Sequence, residues 1–340
     1  MGQQRTAAGH RARGRRASGR YPLRVSVDRT TTGVDVMIPA YGDDALLREA
    51  VASVRAQQDP RWRLTVIDDG VEQGRSAGLA EWLAGDERIR YLPNPTRLGI
   101  NRNFQRCLDE ATADWVVLLG ADDRLHPDFV GRVLDLAAAH PTAAWLHMDA
   151  RVIDGAGLPV TPLADKVKAR TKLPVTGGSR VSGGEELSTS LLHGNWMYFP
   201  SCVFRRGFVL EHGFREGYDI VLDLDLYLRM LLAGGDCVLA GEPGIDYRRH
   251  AASLSSAGAV DGTRFAEETA YFAEVAAVLA ERGWTRAARA ARWHWTSRAH
   301  GVAKLPGLLR AGELPVAREV LRLALSTGSA DRHVRRSTLT

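Results

Sequence analysis

Cysteine is scarce in this chain of 340 residues: Cys107, Cys202 and Cys237 are the whole set, and no two are spaced as C-x-x-C. A scattered, odd set excludes a disulfide framework and a cysteine zinc site, and it fits a reducing compartment. No run approaches the ~18 apolar residues of a spanning helix. No apolar stretch follows the N-terminal arginines as a secretory signal would require. A Walker A loop and a G-x-G-x-x-G strand-to-helix turn are absent, which argues against a P-loop ATPase and a Rossmann dehydrogenase. Acid is missing ahead of Asp28, where seven arginines stand (Arg5, Arg11, Arg13, Arg15, Arg16, Arg20 and Arg24). No internal repeat is visible.

What is present is a globular composition, 45% hydrophobic and 25% charged, enough to bury a core. The net charge of +5 belongs to the N-terminal arm, because without its seven arginines 38 basic residues face 40 acidic ones. Residues 1–32 therefore read as a basic, solvated, disordered arm, and nucleic acid is not an expected partner. The abundance of Ala, Arg and Gly is that of a GC-rich bacterial coding sequence.

Behind the arm, Val34 to Ile38 reads as a short buried strand broken by Pro39, since proline cannot donate to a central ladder. Asp43 or Asp44 can cap a helix whose apolar face is Leu46, Leu47, Ala50, Val51 and Val54. Strands follow at 64–67, 89–92 and 115–119, with a helix at 98–108 between the last two. Pro127 opens another helix to about 139, and 143–148 reads as a strand. Alternating strands and helices predict an α/β fold with a largely parallel sheet covered on both faces. From 154 to 184 the periodicity fails, and the segment reads as either an acceptor-side loop or lid, or a surface insertion. Helical periodicity returns near Glu185, again over 219–232, and beyond Gly262 to about Ser326 with a break near 305–307.

Three acidic clusters stand out on this frame. Asp68 and Asp69 close the apolar run LTVI, Asp122 and Asp123 close WVVLLGA, and Asp223 and Asp225 lie in VLDLDLYLR. The first two sit at strand ends, where open α/β sheets keep their ligand crevice, so these carboxylates suit a nucleotide and a divalent cation. Read without further context, DDG after a strand is also a good turn, and Asp122 with Asp123 is also a cap for the helix after Pro127.

The order IPAYG, VIDDG, LGINRNFQRCLDEATADWVVLLGADD, LDLDLYLR and YRRH resembles the family 2 glycosyltransferases with the GT-A fold, over roughly residues 33–255. The resemblance implies a Rossmann-like, mostly parallel sheet flanked by helices, and inverting transfer of a sugar from a nucleotide diphosphate donor with Mg²⁺ or Mn²⁺. It implies a GT-A domain at 33–260, with a nucleotide-sugar half at 33–150 and an acceptor half at 151–260, followed by a helical C-terminal extension at 261–340.

By the same resemblance Pro39, Ala40 and Tyr41 touch the nucleotide base and ribose. Asp68 recognises the base, typically uracil, and Asp69 supports the turn or ribose. Arg102 and Asn103 lie near the donor, and Asp122 binds donor and metal. The family's D-x-D begins two residues before Asp122, where this chain has Gly120. His250, with Arg248 or Arg249 beside it, is implied as a metal ligand or phosphate contact. Asp223 is implied as the base that takes the acceptor proton, with Leu222 where the family has glutamate. That leucine makes the surroundings more apolar and should raise the carboxyl's pKa. Asp225 and Arg229 are four apart and predict a helical ion pair. Asn195 and Trp196 fall on the acceptor side.

Residues 283–311 carry six basic side chains and no acid, interleaved with tryptophan and leucine. They read either as a membrane-surface segment or as helices packed on the catalytic domain. The expectation is an enzyme working in the cytoplasm, with a membrane-surface reading placing it at the inner face. A UDP-sugar is the favoured donor and a glycan, a lipid-linked sugar or a secondary metabolite supplies the hydroxyl. The alternative is a noncatalytic nucleotide-sugar or carbohydrate-binding protein on a degenerate GT-A scaffold, motivated by Gly120 and Leu222. A nucleotidylyltransferase would need a Gly-rich, Arg-containing loop after the first strand, and IPAYGDD supplies none.

Overall fold

The structure, a computed structural model, describes residues 33–42, 44–70, 76–249, 263–310 and 312–325. The basic arm, Asp43 and His250 lie outside the described residues. The chain runs β1 (Val34–Ala40), α1 (Asp44–Arg55), β2 (Trp62–Asp68), α2 (Ser76–Leu83), β3 (Ile89–Pro93), α3 (Ile100–Glu110) and β4 (Trp115–Leu118). Then come β5 (Arg124–Leu125), α4 (Phe129–Ala139), β6 (Trp145–Ile153), α5 (Leu163–Ala169), β7 (Ser179–Gly183), α6 (Gly184–His193) and β8 (Cys202–Arg205). The rest is α7 (Arg206–His212), α8 (Leu222–Leu232), β9 (Asp236–Arg248), α9 (Thr263–Glu281), α10 (Thr285–Trp293), α11 (Trp295–Arg310) and α12 (Leu314–Leu325).

The sheet order is β3-β2-β1-β4-β8-β6-β9-β5, with β7 paired to β9. The first four strands are parallel, as alternation with helices predicts. Beyond them the sheet is mixed: β8 is antiparallel to both β4 and β6, and β5 and β7 are antiparallel to β9. The alternation signal does not extend there, because β8 is entered from a loop and 3-10 turn after α6 rather than by a βαβ crossover.

Strand residues of opposite parity feed two cores. Val36, Ile38, Leu64, Val66 and Val117 pack with Leu47, Ala50, Val51 and Val54 of α1 and with α4. Met37, Ile67, Val116 and Leu118 pack on the other face with α3, α6, α8, α9 and α10. Each fully buried aliphatic side chain contributes about 1.5–3 kcal/mol, so both faces are committed and the ligand edge must be the strand ends.

Three expectations change. Pro39 does not end β1, which continues to Ala40 with Pro39 opposite Ile67. Leu119 N donates to Met37 O and Asp69 N to Ala40 O, so odd positions of β1 turn their backbone groups toward β4. Pairing with β4 ends at Met37, so the N–H that Pro39 lacks would face no ladder partner. The segment 154–184 is not structureless, since it contains α5 and β7, the latter adding an edge strand to β9. In the C-terminal region the helix runs through Pro306, and the breaks fall instead around Gly283, His294 and Gly312.

Candidate active site

At the ends of β1 and β2, Ala40 lies opposite Asp68 in register, which brings Pro39, Ala40 and Tyr41 beside the first acidic pair. Asp68 is fully buried, with Oδ2 accepting from Tyr91 OH at 2.7 Å and Oδ1 from Gly70 N at 2.8 Å. Asp69 accepts from Asn94 Nδ2 and Leu98 N at 2.7 Å and from Gly99 N at 2.9 Å. It therefore ties the end of β2 to the loop that starts α3. Gly99 has φ +81°, a conformation that favours glycine, and so presents its N–H to that carboxylate. Tyr41 is 43% exposed, and the Arg97 guanidinium lies 4.4 Å from its ring centroid.

Arg102 and Asn103 are adjacent on α3 but part company. Asn103 is buried, accepting from Asn94 Nδ2 at 2.9 Å and donating to Ile67 O at 3.4 Å. Arg102 turns outward to Glu216 at 3.1 Å, with both side chains more than half exposed.

The turn after β4 holds the second acidic pair. Asp122 is partly accessible. Asp123 is buried and its Oδ1 accepts from Arg248 N at 2.8 Å. Burial, and then the Asp122 charge beside it, push the Asp123 carboxyl well above the usual range. The position where the family keeps its first aspartate is physically taken. A Cβ on Gly120 would overlap Asp123 Oδ2 and come within 3.1 Å of Asp122 Oδ1 and Asp123 Cγ.

Arg248, at the end of β9, braces this turn rather than facing open space. Its Nε donates to Asp122 O at 2.8 Å, Nη1 to Gly155 O at 3.0 Å, and Nη2 to Glu49 of α1 at 2.6 Å. Arg249 donates to Asp165 at 2.6 Å, so α5 is latched to the end of β9. Tyr198 OH donates to the same Asp165 oxygen at 2.7 Å, and its ring lies 4.7 Å from that of Tyr247. Burial, and then Asp123, raise the Tyr247 phenol, with Asp122 and Asp165 adding to it. Tyr247 thus lies between the acidic turn and the α5 latch.

On the acceptor side, Asp223 opens the first turn of α8. Its Oδ1 accepts from Leu224 N at 2.7 Å and its Oδ2 from Asn195 Nδ2 at 2.8 Å. Burial raises its carboxyl above the ordinary value, opposed by those two hydrogen bonds and by the Lys168 charge. Lys168 of α5 lies 5.4 Å from the Tyr198 ring. Trp196 is 3% exposed, donating Nε1 to Ser190 Oγ at 2.9 Å with its ring perpendicular to His147 at 5.3 Å between centroids, so it packs in the core and offers no open face. Asp225 is buried between Arg229 at 2.8 Å and Arg215 at 3.1 Å.

The structure therefore brings Asp68, Asp69 and Asn103 into one network through Asn94, sets Tyr41 beside it at the end of β1 under Arg97, and joins Asp122 with Arg248 and Asn195 with Asp223. Arg102 joins none of them. Sequence reasoning missed Tyr91, Asn94, Arg97, Asp165 and Lys168, which surround these groups. The only signal for them was position: NPTR follows a strand end, and DKVK sits in the segment that broke periodicity.

Residues 35–179 match the model of the family described as glycosyl transferase family 2. An uncharacterised protein of Mycobacterium tuberculosis, MT1568, is 29% identical over 238 residues, covering 68% of this chain and 72% of its own length. The O-antigen biosynthesis protein RfbC of Myxococcus xanthus is 27% identical over 233 residues, 66% of this chain but 16% of that much longer protein. Among solved structures, Staphylococcus aureus TarS 1–349 in complex with UDP-GlcNAc superposes with a TM-score of 0.55 at 12% identity, over 72% of this chain and 66% of that one. That likeness is one of fold, the GT-A arrangement.

Proposed function

Because residues 35–179 match glycosyl transferase family 2, we propose that this chain belongs to that family and transfers a glycosyl group with inversion from a nucleotide diphosphate sugar, a UDP-sugar in the first instance, to a hydroxyl acceptor. The observation that carries this reading is Asp223. Both its oxygens are oriented, one by a backbone N–H and one by Asn195, and burial raises its basicity. The acceptor oxygen attacks the anomeric carbon, its proton passes to Asp223, and the bond to the nucleotide diphosphate breaks on the opposite face. The donor binds at the strand ends, its base against Tyr41 and Asp68, while Asp69 and Asn103 hold the loop and helix that form the wall. Arg102, turned to Glu216 in solvent, takes no part in it.

The acidic turn fits a hard divalent cation. The partly accessible Asp122 offers carboxylate oxygen, and burial next to Asp122 makes Asp123 a site where negative charge is poorly compensated. Asp122 would hold Mg²⁺ or Mn²⁺ with diphosphate oxygens and water, and His250 is the second ligand proposed from the family pattern. Bound there, the ion neutralises charge on the leaving diphosphate. The domain division on this reading is a donor half at 33–150, an acceptor half at 151–260 and a helical extension at 261–340. The working compartment is the cytoplasm, which suits three free, buried thiols.

The test is a calorimetric and mass-spectrometric screen of UDP-, GDP- and dTDP-sugars with and without Mn²⁺, read for binding and for slow donor hydrolysis. Metal-dependent binding of one donor with release of its nucleotide diphosphate is the expected result. Binding without turnover, persisting with candidate acceptors, would instead favour the noncatalytic scaffold that the crowded Gly120 turn suggests.

A further inference from the structure

The C-terminal helices carry an observation that sugar transfer does not use. Helix α10 packs Ala287, Ala288, Ala290 and Ala291 inward, against α6 and α9. The opposite stripe, at spacings of three and four, is Arg286, Arg289, Arg292 and Trp293, all exposed. Arg286 is engaged by Glu185 of α6, at 3.3 Å from its Nε. Arg289 and Arg292 make no ion pair among the described residues.

Trp293 is 64% exposed, whereas Trp284, at the other end of the same helix, packs against the core. The difference is built into the chain. His294 ends α10 at φ +22°, a left-handed conformation rare outside glycine, with its ring stacked 4.8 Å from Phe272. That corner is anchored in the core and leaves Trp293 outside it. On the next helix, α11, Val302 and Leu309 are exposed at a spacing of seven, which places them on one face. From 283 to 311 there are six basic residues and no acid.

We propose that the exposed Arg289, Arg292 and Trp293 stripe of α10, with the exposed Val302 and Leu309 of α11 beyond the His294 corner, is a docking surface for an anionic lipid membrane. Arginine paired with exposed tryptophan and aliphatic side chains matches a surface that is negative at the headgroups and apolar just beneath them. The indole sits at that boundary with its N–H in the polar layer, and arginine stems lie along the apolar layer with their heads in the phosphates. A nucleic acid would use the same charges but not the exposed Val302 and Leu309. A second copy of this chain would bring a like-charged face. The proposal is independent of the transfer reading, and its test needs neither donor nor acceptor.

The experiment is co-sedimentation of the full chain with vesicles of phosphatidylcholine containing about a third phosphatidylglycerol, against pure phosphatidylcholine, at low and high salt. Because Arg-rich residues 1–32 can bind anionic lipid themselves, the decisive comparison is Arg289→Glu/Arg292→Glu with wild type. Both positions are exposed, and an unchanged melting temperature confirms that the variant folds. Each basic residue near such a surface contributes about 1 kcal/mol, so loss of two predicts at least ~30-fold weaker partitioning. Trp293→Ala should weaken binding several-fold and persist in doing so at high salt, where the arginine contribution fades. Equal binding of variant and wild type, equal binding to neutral vesicles, or no binding at all overturns the proposal. So does a dimer that Trp293→Ala dissociates, or an RNA duplex bound in preference to vesicles.

Discussion

Substituting Gly120 tests whether the acidic turn has been rebuilt around Asp123. The backbone at Gly120 is not in the left-handed region, so a side chain there meets no conformational penalty, only its neighbours. A Cβ would overlap Asp123 Oδ2, and Asp123 has little room to retreat, being buried with Oδ1 bound to Arg248 N at 2.8 Å. Overpacking of this kind costs about 1–3 kcal/mol. At ~2 kcal/mol the melting temperature of a domain this size falls by roughly 4–8 °C, readable by calorimetry. Gly120→Ala isolates the steric part. Gly120→Asp, which restores the family's first aspartate, adds a third carboxylate beside Asp122 and Asp123, and should be worse than alanine at neutral pH and approach it as pH falls. In Gly120→Ala/Asp123→Ala the overlap disappears, so the double variant should be more stable than the two single losses added together, by about 1 kcal/mol or more. If Gly120→Asp melts with the wild type and keeps its donor binding, the turn has space, and the reasoning that Asp123 occupies the missing acid's place is wrong.

Asp223→Asn should abolish transfer while leaving donor affinity within a few-fold, measured by single-turnover assay and calorimetry, and an active variant removes the base assignment. Since burial raises the Asp223 carboxyl, the acidic limb of kcat/KM should lie above the ~3.9 of a free aspartate, with activity present above that limb and lost as pH drops through it. Asn195→Ala removes a hydrogen bond to the ionised form and should move the limb further up, whereas Lys168→Ala, removing a nearby positive charge, should move it the same way. Asp69→Ala strands the N–H groups of Leu98 and Gly99 and one partner of Asn94, and is expected to lower stability by about 2–4 kcal/mol in urea titration. Asp225→Ala leaves Arg215 and Arg229 without their shared carboxylate, but Arg215 keeps Glu274 and Arg229 keeps His212 O and Gly213 O, so stability should fall by about 1–3 kcal/mol, with Asp225→Asn recovering only part.

The strands on the donor side, the apolar face of α1 and the Asp225–Arg229 pair were legible because each is a local pattern: a β-branched run, a three-four repeat, an i,i+4 spacing. What was not legible is how neighbouring polar residues divide their duties. On α3, successive side chains point about 100° apart, so Arg102 and Asn103 cannot share one target. One meets Glu216 in solvent, and the other fixes Asn94 beneath the β2 end. At the two acidic turns the braces also reach far along the chain. Asp69 spends its carboxylate on Asn94, Leu98 and Gly99, and Asp123 spends one oxygen on Arg248, contacts 25 to 125 residues away in sequence. Such partners are invisible to a window of neighbouring residues, as is the meeting of Asn195 with Asp223 across 28 positions. The same distance blindness explains α5. Its helix is short and weakly patterned, and it is held through Asp165 by Tyr198 and Arg249, 33 and 84 residues onward. At the turn after β4 the two acids therefore differ, Asp122 partly accessible and Asp123 a buried brace on Arg248, and mutating Asp123 should destabilise the turn where mutating Asp122 changes ligand affinity.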